Sequence, residues 1–298
     1  LNDVGKTNLM YAFRFVLDKE IRKQKFSISD YHCKNTTKEI EIIIEVDISD
    51  IENKDNQKLR ARLEGALLSE HKKVYIKLIG KYDESELSGV PILYWGGDLE
   101  HLYEMNQRGY LYDIDYIMNV IYIDSYVDLY SLFKKNTSTL IKNDDTIDKT
   151  LFDDISDLTE SINLKISSLS GIRKFENQIN PEYEKFRIRQ EKTSIAIKSK
   201  LAINGLYSNI VPYIKQGDEA ELYPTAGEGR KKLLAYSIFD LLANEVAENK
   251  IIIFLIEEPE NHLHKSMQIA LSKILFNDKK YTYLFISTHS PYILYEMD

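Results

Sequence analysis

One cysteine, Cys33, and one tryptophan, Trp95, are the whole supply of those two residue types in 298 residues. A lone thiol cannot close a disulfide framework, which excludes the stapled secreted scaffolds and fits a reducing, cytoplasmic setting. No run approaches the roughly 20 apolar residues of a membrane helix, and no signal peptide opens the chain, so no membrane partner is expected. Positive charge is short as well: 39 Lys and Arg stand against 47 Asp and Glu, a net charge of -8. That balance excludes a protein that coats nucleic acid over its whole surface, and leaves room for a local basic patch. The 21 tyrosines and 11 phenylalanines read as core and surface composition rather than as a stacking platform.

What is present reads as an α/β protein. Leu9, Ala12, Phe13, Val16 and Leu17 recur at helical spacing, predicting a helix over residues 8–23. Isoleucines alternating with acids predict a half-buried strand over 39–48. Strand-like runs at 74–79 and 90–95, bounded by Gly80, Gly89, Gly96 and Gly97, suggest an antiparallel sheet. The short, weakly charged run at 119–123 reads as a central strand. From about 144 to 204 charges are dense and Leu151, Ile155, Leu158, Ile162, Ile166 and Leu169 recur every three or four residues, the pattern of two or three long helices forming an inserted arm. Beyond Pro212 a helix is expected over 228–244, a strand over 251–256, a helix over 265–276 and a strand over 281–286. Ser290-Pro291 reads as an N-cap with proline at the first helical position. The expected division is 1–143, 144–204 and 205–298.

Four segments carry chemistry. Asp3-Val4-Gly5-Lys6-Thr7 leads into the first helix. In a phosphate-binding loop the glycine admits the phosphates to the backbone, the lysine reaches the β- and γ-phosphates, and the hydroxyl ligates Mg²⁺; alone, the segment reads first as a capped helix start, since Gly-Lys-Thr is common by chance. Six apolar residues, 251–256, then end in Glu257-Glu258-Pro259. Strand ends of open α/β sheets are where ligands bind, and there Glu257 can hold Mg²⁺ and Glu258 can deprotonate the attacking water. The plain alternative is a strand closing on solvated acids. His289, in Ser287-Thr288-His289-Ser290-Pro291, follows by the interval of a βαβ crossover and can donate to a γ-phosphate. Thr225-Ala226-Gly227-Glu228, before a helix, combines a hydroxyl, a glycine amide and a helix N-terminus.

In this order, the four segments resemble the ABC-type ATPase heads of the SMC, RecF and OLD families. The resemblance implies Walker A roles for Lys6 and Thr7, with Asn2, Asp3, Gly5 and Asn8 beside the nucleotide, and Walker B roles for Glu257 and Glu258. It implies the signature motif at Thr225, Gly227 and Glu228, the D-loop at Asn261 to His264, and the switch histidine at His289. Three positions depart from the wider pattern: Glu257 replaces the usual Asp and points to the OLD branch, Ala226 adds a methyl to the signature, and His264 stands where the D-loop has Asp. Segments outside the motifs, such as Leu17-Asp18-Lys19-Glu20-Ile21-Arg22-Lys23 and Ser266-Met267-Gln268-Ile269-Ala270-Leu271, narrow the likeness to the OLD-like nuclease subunits of Gabija anti-phage defence systems.

That likeness implies ATP and Mg²⁺ as cofactors and an ABC-type head with a mixed sheet, an antiparallel subdomain and an inserted helical dimerisation arm. It also implies a homo-oligomer, DNA as substrate, and a helicase-like partner subunit. DNA cleavage would fall to a C-terminal Toprim domain beyond residue 298. The phosphate-loop strand and its first glycine would precede residue 1, so the 298 residues alone are expected to bind ATP weakly and to lack nuclease activity. Two competing functions remain open: a RecF- or SMC-like ATPase without a nuclease, and a nucleotide sensor that turns over poorly. Asp113-Ile114-Asp115 precedes its strand and is set aside as a Toprim metal pair, and His262 with His264 lacks a third ligand for zinc. Basic stretches at 22–25, 187–200 and 230–232 read as solvated faces or as contacts to DNA.

Overall fold

Why 251–256 is an unbroken apolar run becomes clear from where it lies: in the middle of a parallel sheet covered on both faces. The computed structural model describes residues 5–63, 70–141, 148–185, 195–199, 201, 210, 213–215, 222–224, 227–247 and 249–297.

The chain opens with α1 (Lys6–Leu17) and α2 (Lys19–Arg22). One helix was expected, but Asp18 adopts an extended backbone and its carboxylate accepts the Glu20 amide at 2.9 Å, ending one helix and capping the next. Strands β1 (Ile40–Asp47), β2 (Lys73–Asp83), β3 (Ser88–Gly96) and β4 (Tyr103–Glu104) then pair in sequence order as an antiparallel sheet, with helix α3 (Lys54–Arg62) between the first two. A small hairpin of β5 (Gln107–Arg108) and β6 (Leu111–Tyr112) leads to β7 (Met118–Ile123).

The next segment, Asp128–Ala226, is a compact unit of its own. It holds α4 (Leu129–Leu140), α5 (Lys149–Ser167), α6 (Ser170–Lys185) and a hairpin of β8 (Tyr213–Lys215) and β9 (Leu222–Pro224). The sequence reading placed its boundaries at 143/144 and 204/205; α4 and the hairpin lie outside those limits. The amide side chain of Asn163 joins α5 to the segment after α6, receiving the Leu201 amide and the Ser199 hydroxyl at 2.8 Å each.

The remaining elements, α7 (Glu228–Ala247), β10 (Ile251–Glu257), α8 (Lys265–Asn277) and β11 (Tyr283–Ser287), complete the first unit with residues up to Val127. Strand order in the parallel sheet is β11-β10-β7. The run at 119–123 therefore lies at the edge among the described residues, not at the centre. Its low charge reflects burial on both faces: Met118 packs with α1 and the antiparallel sheet, Ile121 and Ile123 with α7 and α8. β10 alternates in the same way, Ile251, Ile253 and Leu255 to one core, Phe254 and Ile256 to the other. The apolar strand needs both cores.

β11 is the other outer strand, and a cavity lies on each face beside it. One of about 330 Å³ is lined by Phe13, Ile44, Tyr283 and Phe285. The other, about 370 Å³, is lined by Leu284, Ile286, Met297 and Lys6. After β11 the chain does not form the helix expected at Ser290-Pro291. Ser290 caps a turn instead, its hydroxyl accepting the Tyr292 amide at 3.2 Å.

Candidate nucleotide site

The register of the parallel sheet brings three strand ends level. Ile256 pairs with Ile123 and Glu257 with Ser287, so Asp124, Glu257 and the start of the 288–290 loop emerge side by side. The N-terminus of α1 meets the same end of the sheet. Lys6 Nζ lies 2.9 Å from His289 Nε2 and 3.5 Å from the Thr288 carbonyl oxygen. His289 Nε2 is in turn 3.8 Å from Glu258 Oε1. Lysine, histidine and glutamate from positions 6, 289 and 258 thus converge.

Local backbone geometry fits that convergence. Gly5 has φ 78, in the left-handed region glycine tolerates, and nothing lies within 4 Å of where a Cβ would stand. Among the described residues no side chain caps α1, and no acid occupies its first turn beside the Lys6 ammonium. Such a helix start suits an anion, and the residues present fit a nucleotide phosphate. Thr7 and Asn8 are exposed on the same first turn. Asn2 and Asp3 lie outside the described residues.

The two acids of β10 have different settings. Glu257 is 6% exposed. Burial, then the neighbouring Asp124 and Glu258 charges, push its carboxyl upward, while a hydrogen bond from Tyr122 and the Arg14 charge pull the other way. Arg14 stacks on Tyr122, its guanidinium carbon 3.7 Å from the ring centroid. A buried carboxylate crowded by other acids is a fitting ligand for a divalent cation. Glu258 is more open and has φ 42, a left-handed backbone uncommon for a residue with a side chain. Its amide donates to the Ser287 carbonyl at 2.7 Å and its Oε2 accepts from Asn261 Nδ2 at 2.7 Å. Asn261 was anticipated only as part of the D-loop; the reach back to Glu258 across a turn left no periodic signal.

Gly227 and Glu228 open α7. Glu228 pairs with Lys231 at 2.8 Å. Thr225 lies outside the described residues. Gly229 was not singled out from the sequence, yet a Cβ there would fall 2.7 Å from the His262 carbonyl oxygen, so only glycine lets α7 start against that turn. His264 caps α8, its ring accepting the Ser266 amide at 3.4 Å.

Two of the basic stretches are engaged internally. Arg22 is buried against Asp115, Lys23 pairs with Glu20, Lys25 with Glu86 and Lys231 with Glu228. Lys232 is 4% exposed and donates to the Ser125 carbonyl at 3.2 Å and the Glu258 carbonyl at 2.8 Å, tying α7 to the ends of β7 and β10. Burial pulls its pKa down to about 8, against the opposing charges of Glu260, Glu258 and Asp124. Between pH 8 and its ordinary range the unfolded chain keeps a proton the folded chain has lost, so this residue's contribution to stability rises with pH there. Relative to Lys232→Met, the parent should gain about 2 kcal/mol between pH 7.5 and 9.5. Denaturant melts at both pH values check this; a constant difference would return Lys232 to an ordinary pKa.

Comparison with known proteins adds to this geometry. Residues 167–294 match an AAA ATPase domain family. The chain is 46% identical over 302 aligned residues to Endonuclease GajA of Bacillus cereus (strain VD045). The alignment covers 100% of this chain and 52% of that relative, so the chain spans about half the relative's length. With a match to an AAA ATPase domain family over 167–294, parallel and antiparallel sheets in an α/β arrangement, and this identity along its whole length, the chain fits the ATPase region of a GajA-like protein.

Proposed function

We propose that the chain is the ABC-type ATPase head of an OLD-like DNA endonuclease of anti-phage defence, binding ATP with Mg²⁺ and using the nucleotide state to control DNA cleavage. The observation that carries the reading is that His289 bridges Lys6, at 2.9 Å, and Glu258, at 3.8 Å, at the N-terminus of α1. In this reading Asn2, Asp3, Gly5, Lys6, Thr7 and Asn8 surround the phosphates, and Lys6 neutralises their charge. Glu258 takes the proton of the attacking water, and His289 donates to the γ-phosphate oxygen as charge builds there. Thr7 and Glu257 would hold Mg²⁺, which when bound supplies polarisation of the phosphate and offsets its charge.

Thr225, Gly227 and Glu228 belong, in the same reading, to the nucleotide of a second head. Leu151, Ile155, Leu158 and Ile162 are exposed along α5 at alternating spacings of four and three, a heptad seam suited to a second copy of the helical unit. Cleavage of DNA is assigned to a Toprim domain outside these residues, and a helicase-like subunit is the expected partner.

The test uses the full-length protein. Lys6→Ala should weaken ATP binding by about 10- to 100-fold in calorimetry, the loss of a charged hydrogen-bond donor, and plasmid nicking with Mg²⁺ should change with added nucleotide in the parent only. Turnover of ATP with no nicking under any nucleotide condition would favour a RecF- or SMC-like ATPase instead. Unchanged ATP affinity in Lys6→Ala would sink the site assignment.

A further inference from the structure

His289 sits on a loop that leaves the outer strand β11, and a loop residue needs something to hold it over its target. The holding groups come from the turn after β10. Glu260 receives two donors from consecutive residues of the loop: the Thr288 hydroxyl on Oε2 at 2.7 Å and the His289 backbone amide on Oε1 at 2.5 Å. The Ser290 amide donates to the Thr288 hydroxyl oxygen at 3.0 Å. The Ser290 hydroxyl donates to Gln268 Oε1 at 2.6 Å. Gln268 Nε2 in turn donates to the Leu263 carbonyl at 2.8 Å and the Glu260 carbonyl at 3.4 Å. The bonds form a closed ring running from Glu260 through Thr288, Ser290 and Gln268 back to the turn.

We infer that Glu260 is a positioning residue that fixes His289 against Lys6 and Glu258 and so sets the turnover rate without touching the nucleotide. The inference rests on the reading of Lys6, Glu258 and His289 as the hydrolytic site. A carboxylate with both oxygens occupied by neighbouring donors resists rotation in a way one hydrogen bond does not, because the loop must lose both bonds to swing away. Glu260 also shares its short turn with Glu258 and Asn261, and Asn261 holds the Glu258 carboxylate. One turn therefore sets the place of both the water-activating acid and the histidine opposite it. A side chain displaced by about 1 Å in such an arrangement costs up to about 10²-fold in rate.

Glu260→Ala is expected to lower ATP turnover of the full-length protein by about 10- to 100-fold while ATP affinity stays within about threefold. Glu260→Gln keeps one accepting oxygen and should fall between it and the parent, and it serves in place of the alanine variant should that fail to fold. The deciding measurement is a cycle with His289→Ala. If Glu260 acts through the histidine, Glu260→Ala adds nothing in the His289→Ala background. Should Glu260→Ala cost the same factor in both backgrounds, the positioning role is overturned while the site reading stands. Should His289→Ala alone leave turnover at the parent value, the site reading fails first and takes the inference with it.

Discussion

Glu258→Gln is expected to reduce ATP turnover by about 10²- to 10⁴-fold, the range a positioned general base contributes, and to leave ATP bound. The substitution keeps the shape of the side chain, and glutamine can still accept from Asn261 as Glu258 does at 2.7 Å. What is lost is the negative charge that, in the proposed reading, takes a proton from water. The unusual backbone at Glu258, φ 42, need not change, because the amide still bonds to Ser287 and Lys232 still binds the carbonyl. Single-turnover hydrolysis together with ATP binding separates the two effects. Rapid turnover in the variant would remove Glu258 from the chemistry; slow turnover in the parent as well would turn the reading toward a nucleotide sensor. Glu257→Gln should behave differently, raising the Mg²⁺ concentration needed for half-maximal turnover.

The largest expected loss of stability lies away from the site. Arg22 and Asp115 are each 2% exposed and form a direct ion pair. Asp115 also accepts the Tyr112 amide at 2.8 Å, while Arg22 reaches the Val16 carbonyl at 2.5 Å. Asp115→Ala strands a buried guanidinium and should cost about 3–5 kcal/mol, on the scale measured when one member of a buried pair is removed. Arg22→Met with Asp115→Leu should recover much of that loss, since the isolated charge is then gone. Denaturant unfolding of the single and double variants checks both statements. If Asp115→Ala left stability unchanged but abolished a metal-dependent activity, the Asp113-Ile114-Asp115 segment would regain the catalytic role set aside from its sequence. Its observed partners, Arg62 at 2.6 Å from Asp113 and Arg22 on Asp115, are structural ones.

Much of the architecture was legible because burial leaves periodic marks. Six apolar residues before Glu257 required a strand covered on both faces, and β10 is that strand. The order of Gly5-Lys6-Thr7, Glu257-Glu258 and His289 marked residues that the fold brings to one end of a sheet. What escaped depends on single hydrogen bonds or on neighbours far along the chain. Asp18 divides the first helix through one side-chain bond to Glu20, which the apolar spacing around it does not reveal. β7 reads as central because it is buried on both faces, but strand order is a long-range property. No local pattern marks Glu260, because its donors stand 28 and 29 residues away. Lys232 lay within a basic stretch read as solvated or DNA-facing, and its burial follows from Gly229 letting α7 approach the turn at His262.

The outer position of β11 also has a colloidal consequence. Its backbone carries hydrogen-bonding groups toward β10 on one side only among the described residues, Phe285 is 38% exposed, and a hollow lies on each face beside it. An uncovered apolar strand edge is a template for strand addition from another molecule. Where that edge is left open, edge-to-edge association is the expected route to aggregation in concentrated solution.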